Sequence, residues 1–146
     1  MSQNYGADKK ERILRSYYIS LAYSFGSAAF LGIILVIFGR GFLSLFTADP
    51  AVIDAGMTRL CVMGLSYCVS SFMDCTIAAS RGLGRSLVPT VIVFLGSCVF
   101  RIIWVYTIFA RFGTIFSLYL LYSFSWAITA AAEIIYFAVY YKKNIS

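Results

Sequence analysis

The sequence predicts an all-α, polytopic integral membrane protein with four transmembrane helices, and three observations carry that prediction. Of its 146 residues 61% are apolar, 18% aromatic and only 12% charged, with a mean hydropathy of +0.85, a balance foreign to soluble domains. Four apolar runs, at residues 17–38, 57–79, 87–109 and 115–140, have the length needed to cross about 30 Å of hydrocarbon. Third, the basic residues sort by side. Lys9, Lys10, Arg12, Arg15, Arg81, Arg85, Lys142 and Lys143 fall at one end of the spans, whereas Arg40, Arg59 and Arg111 fall at the other. By the positive-inside rule both termini are expected in the cytoplasm of a multi-pass plasma-membrane protein.

The net charge of +6 is therefore a topology signal, and with no basic stripe on a soluble domain, nucleic acid is not an expected partner. No histidine and no Cys-x-x-Cys pair is present, which removes the usual zinc and thiol-redox sites. With no nucleophile–base pair either, the chain does not read as an enzyme. Cys61, Cys68 and Cys75 recur every seven residues, as small packing residues do. The polar N-terminus and the length of the first apolar run argue against a cleavable signal peptide.

Taken in order, Asp8 and Glu11 have the spacing of an acidic capping box, so a helix is expected from about Lys9, entering the membrane at Tyr17 and Tyr18. Ser20, Ser24, Ala28 and Gly32 fall every four residues, a small-residue seam that lets another helix approach. Residues 39–50 read as the first outside loop, with Asp49 capping the next helix and Pro50 at its first position. From residue 50 to 79 the helix is about 45 Å long, more than the bilayer core is thick. Along it Cys61, Gly64, Cys68, Ser71, Cys75, Ala78 and Gly82 form a second small seam.

Arg81, Gly82 and Gly84, with Pro89, form a tight basic hinge that ends this helix, Ser86 being placed to cap the next one. A Gly-x-Gly pair after a helix and not a strand lacks the rest of a phosphate-binding fingerprint. Gly113 and Thr114 make the equivalent turn on the other side.

Three ionisable residues lie inside spans, where a carboxylate at the bilayer centre costs ~2.5–3.5 kcal/mol on the mildest scale. Asp74 and Glu133 are each about five residues from the basic end, roughly 8 Å deep, and Arg101 is about thirteen residues in, roughly 20 Å. An Arg101 pair with either acid would have to bridge roughly 10 Å of depth. Asp74 is the candidate proton- or cation-binding carboxylate. Arg101 and Glu133 are secondary charge sites, Arg101 for holding helices together; the plainer reading of both Asp74 and Glu133 is snorkelling or hydrogen bonding to Ser and Tyr near the interface. Trp104 and Tyr106 are candidates for an aromatic wall facing flat cations.

Gln3-Asn4-Tyr5-Gly6-Ala7, Phe46-Thr47-Ala48-Asp49-Pro50, Arg81-Gly82-Leu83-Gly84 with Pro89, and Arg101 followed by Trp104 together resemble the MATE family of multidrug and toxic-compound extruders. Their order and spacing match the last four helices of the C-terminal lobe, especially in the branch found in Gram-positive bacteria, so residues 1–146 read as a single membrane segment of that lobe. The resemblance implies two six-helix lobes around a central cavity, alternating access, and efflux of small organic cations or drugs against H⁺ or Na⁺, with no other cofactor and no metal centre. Two departures stand out. Tyr122-Ser123-Phe124-Ser125-Trp126 has Ser123 where that branch commonly has proline, so a kink in the last helix is expected to be lost. The acid of Na⁺-coupled relatives aligns near Ser70, one turn from Asp74.

Roughly two thirds of such a transporter lies outside these four helices. The expected partners are therefore the missing N-terminal lobe or another copy of the chain, together with membrane lipid, and the segment is expected to be a truncated or split piece that is inactive alone. The alternatives are a lipid-linked sugar flippase of the same superfamily and a non-transporting membrane assembly subunit.

Overall fold

The computed structural model describes residues 1–145. It contains a short helix α1 (Ser2–Gly6) and four long helices, α2 (Lys10–Ser44), α3 (Pro50–Gly82), α4 (Leu87–Phe112) and α5 (Ile115–Asn144), with no strand among the described residues. All four long helices are apolar and long enough to cross a membrane. They run up and down, so that α1, the α3–α4 turn and the end of α5 share one end of the bundle. Helices α3 and α5 form the inner pair, with α2 packed on α3 and α4 on α5.

Packing is anchored at the end that holds the termini. Ile13, Tyr17, Ala79, Leu83, Phe137 and Ile145 are buried together there, with the Tyr17 ring stacked on Phe137 at 4.3 Å between centroids. The Tyr17 hydroxyl meets the Thr76 hydroxyl at 2.8 Å, which satisfies the one polar atom of an otherwise apolar ring. A second cluster, Met73, Ile77 and Ala130, lies further along between α3 and α5. Large apolar side chains such as Tyr23, Phe30, Ile37, Phe94 and Ile135 face outward, the expected surface for a chain solvated by lipid.

The helix ends follow local chemistry in some places and depart from it in others. Asp49 caps α3 through a bond from the Ala51 amide to its Oδ1 at 2.9 Å, with Pro50 at the first helical position, as the sequence predicts. The capping box at Asp8 does not form: α2 starts after Lys9 without a side-chain cap, and Asp8 takes a left-handed φ of 52°. The reason is α1, which ends just before it. That short helix is tied to α2 by a bond from Asn4 Nδ2 to Ser16 Oγ at 3.4 Å.

The first outside loop is also shorter than residues 39–50, because α2 runs on to Ser44. Gly39 is absorbed into the helix, where a Cβ would stand 2.9 Å from Met57 Sδ. Next to it, Arg40 pairs with Asp54 of α3. Close packing and one ion pair thus hold the outer turns of α2 against α3 and override the poor helix propensity of glycine.

At the α3–α4 turn the Arg85 amide bonds the Ser80 carbonyl at 3.1 Å, and the Gly84 amide bonds Arg81 at 3.0 Å. With Gly84 at φ 78° this is a Schellman closure. Of the two glycines, only Gly84 supplies the left-handed residue. Gly82 stays helical and faces α1, where an added Cβ would come 3.5 Å from Met1 Cβ. Ser86 does not cap α4 with its side chain; instead its carbonyl accepts bonds from Thr90 Oγ1 at 2.7 Å and the Thr90 amide at 3.2 Å.

Helix α4 is not uniform. Two stretches, Leu95–Val99 and Val105–Phe109, are wound as π-helix. Helix α5 is α-helical throughout, and Ser123 sits within it where the related pattern has proline.

Candidate functional site

Asp74 lies on an open groove between α2 and α3. Ser24 and Ser27 of α2 face Tyr67, Ser70, Ser71 and Asp74 of α3 around a cavity of about 530 Å³. The serines arise from helical spacing: Ser70 and Asp74 are one turn apart, and Ser24 and Ser27 share a face of α2. Ser70 Oγ donates to Asp74 Oδ2 at 3.3 Å, so a hydroxyl one turn away is the carboxylate's hydrogen-bond partner. Ser27 and Ser71 donate their protons to the carbonyls of Ser24 and Cys68 at 3.1 and 2.7 Å. Their hydroxyl oxygens keep free lone pairs. Asp74 is exposed and forms no ion pair among the described residues. Ala28, Leu31, Gly32 and Leu35 complete the lining, so Asp74 is a carboxylate with one hydroxyl partner and no cationic one in a groove of mixed character, suited to a proton or a cationic ligand with an apolar body.

Glu133 is placed quite differently. It is fully buried on the packed face of α5, at 0% exposure, and neither carboxyl oxygen has a hydrogen-bond partner among the described residues. The sequence-based expectation of snorkelling or local hydrogen bonding is overturned by this geometry. Glu133 continues a stripe of buried residues at every fourth position, Ser117, Leu121, Ser125, Thr129, Glu133 and Phe137, which turns it inward and away from the interface. Asp74 and Glu133 share a depth but not a face, so the structure does not bring them together.

Arg101 reaches neither acid. Its guanidinium lies 4.6 Å above the Tyr122 ring, and its Nε donates to Ser125 Oγ at 3.4 Å. Ser125 in turn donates to the Gly96 carbonyl at 2.8 Å, inside the first π-helical stretch of α4, where regular i→i−4 bonding is interrupted. Arg101 therefore ties α4 to α5 by cation–π contact and a short polar chain. Trp104 stacks on Phe124 at 5.6 Å with its Nε1 buried and unpartnered among the described residues. Tyr106 is 79% exposed, so these two aromatics do not form one wall. The Arg81, Gly82, Gly84 and Pro89 set lies at the termini end, apart from the groove.

Sequence reasoning missed the serine lining as a site, although Ser24 and Ser71 were legible as seam residues. The signal was there in the run of hydroxyls one turn from Asp74. It also missed Ser66 and Ser123, whose hydroxyls bond across α3 and α5 at the position where proline was expected.

No curated protein matches the chain. The family model described as MatE matches residues 1–107, which takes in α1, α2, α3 and most of α4, and so includes the groove and Arg101. With four membrane-spanning helices and that match, the chain belongs to the MatE family and is a multi-pass membrane transporter protein of the MATE superfamily.

Proposed function

We propose that the chain contributes an ion-coupled pathway for efflux of small organic cations and drugs, by H⁺ or Na⁺ antiport across the plasma membrane, and that it works with further helices and not alone. The observation that carries this reading is Asp74, exposed on a hydroxyl-lined groove with no cation paired to it among the described residues. A lone carboxylate in a membrane helix is costly unless it meets water, an ion or a ligand. The groove is lined by α2 and α3 alone, which supports a binding surface completed by another lobe or another copy. Basic residues at the end holding the termini support a cytoplasmic location for both. Transport of this kind needs no catalytic chemistry and no cofactor beyond the coupling ion.

The test is dye efflux from cells stripped of their own pumps, comparing the chain alone with the chain co-expressed with the upstream reading frame. Efflux only in the second case supports a split transporter. Efflux from the chain alone shows that four helices assemble into a working pump, and none in either case sinks the transport reading.

A further inference from the structure

At the end of the bundle that holds the termini, α4 begins and α5 ends around a shallow pocket of about 300 Å³ lined by Arg85, Tyr136, Val139, Tyr140, Lys143 and Asn144. Arg85 Nε donates to the Tyr140 hydroxyl at 3.3 Å, and its guanidinium sits 5.3 Å from the Tyr140 ring centroid. The Tyr5 phenol of α1 lies beside the same hydroxyl. The phenols of Tyr140, Tyr136 and Tyr5 lie around Arg85, which makes no ion pair among the described residues. Lys143 adds a second positive charge and makes no ion pair among the described residues. Asn144 uses its amide nitrogen on the Tyr140 carbonyl at 3.1 Å, which leaves its amide oxygen outward and fixes the rim.

Among the described residues the pocket lining thus holds two cations, two phenols and no carboxylate. Val139 is the one aliphatic residue of the lining and is 59% exposed, while Leu87 and Val88, which follow Arg85 at the start of α4, are 74% and 40% exposed. The pocket lies where membrane-spanning helices end, at headgroup level. A planar guanidinium fixed on an aromatic ring presents its donors to a phosphate in a set direction. Basic pockets between helices at this level are suited to anionic headgroups.

We propose that Arg85 and Lys143, framed by Tyr136 and Tyr140, bind the phosphate of an anionic phospholipid drawn from the surrounding bilayer, its acyl chain lying along Val139. The site is independent of the groove at Asp74, and it does not rest on the transport reading.

The experiment is native mass spectrometry of the full chain in detergent, titrated with phosphatidylglycerol or phosphatidylcholine. One phosphatidylglycerol is expected to be retained in preference to phosphatidylcholine. Arg85→Gln and Lys143→Gln are each expected to weaken retention on the order of fivefold, and the double variant more, from the roughly 1 kcal/mol contributed per basic residue near an anionic surface. Lys142→Gln, which changes charge equally but lies outside the pocket, serves as the control. Lys143 is exposed, so its variant reports binding even if Arg85→Gln disturbs the turn. Equal retention by wild type and Lys143→Gln, an equal loss in Lys142→Gln, or displacement of the lipid by millimolar inorganic phosphate would each overturn the lipid assignment.

Discussion

Gly32 of α2 and Gly64 of α3 meet so closely that a Cβ on Gly32 would lie 2.8 Å from the Gly64 carbonyl oxygen. The approach is asymmetric, because a Cβ on Gly64 would find only ordinary contacts, 3.5 Å to Val36 Cγ2 and 3.6 Å to the Gly32 oxygen. Gly32→Ala has backbone in its way, so the helices must separate, at ~1–3 kcal/mol. Gly64→Ala should stay within ~0.5 kcal/mol of wild type or gain slightly from helix propensity. Thermal unfolding of the two variants in the same detergent checks this, and equal losses would refute the asymmetry.

Between α4 and α5 the crowding falls on a side chain. A Cβ on Gly96 would stand 2.1 Å from Thr129 Oγ1 and 3.1 Å from Thr129 Cβ. Thr129 is buried and donates to the Ser125 carbonyl at 2.8 Å, so it has little freedom to turn aside. Gly96→Ala is expected to cost about 1–3 kcal/mol, and Thr129→Ala in the same chain to restore part of it, since the Cβ remains. A double-mutant cycle with no coupling between the two sites would contradict this packing.

Glu133 is buried with an unsatisfied carboxyl, and such a group costs about 1–3 kcal/mol or more in desolvation. Glu133→Leu should leave stability unchanged or raise it by that order, whereas Glu133→Gln, still polar and still unpartnered, should not gain. Denaturant or heat titration of both variants decides the point. A marked loss in Glu133→Leu would mean that the carboxyl is compensated in the folded chain, Arg81 being the nearby cation, and would refute this prediction.

Asp74 is exposed and lines the groove, so Asp74→Asn should shift stability by no more than ~0.5 kcal/mol. In the assembled transporter the same change is expected to abolish ion-driven efflux, and Ser70→Ala, which removes its hydrogen bond, to weaken it. Dye efflux measured with and without an imposed ion gradient reads this directly. Unchanged efflux in Asp74→Asn would take Asp74 out of the mechanism.

The elements most legible in the sequence were those fixed by short-range chemistry. Four apolar runs became four long helices, Asp49-Pro50 became a capped start, and the glycine turn after Arg81 became a left-handed closure at Gly84. Features set by azimuth or by distant packing were not legible. Counting residues along the axis placed Asp74 and Glu133 at one level but could not say which way each pointed, and one proved open and the other sealed. The extension of α2 past Gly39 depends on Met57, Leu60 and Asp54, all on another helix. The failed capping box depends on α1 ending at Gly6. The π-helical stretches of α4 lie in a run with apolar residues on every face, which leaves hydropathy little contrast with which to register a wider turn.

The Schellman closure at Leu83 to Arg85 has a mechanical consequence. Leu83 is only 2% exposed, and the backbone bonds to Ser80 and Arg81 clamp the end of α3 directly onto the start of α4. Helix α3 has 33 residues, about 50 Å of lever arm at 1.5 Å each. A rigid tilt of α3 by about 5° about that end would displace the far end by about 4 Å, somewhat less than one helical turn. Because the closure joins the two helices with no slack between them, any tilt of α3 has to be followed by the start of α4.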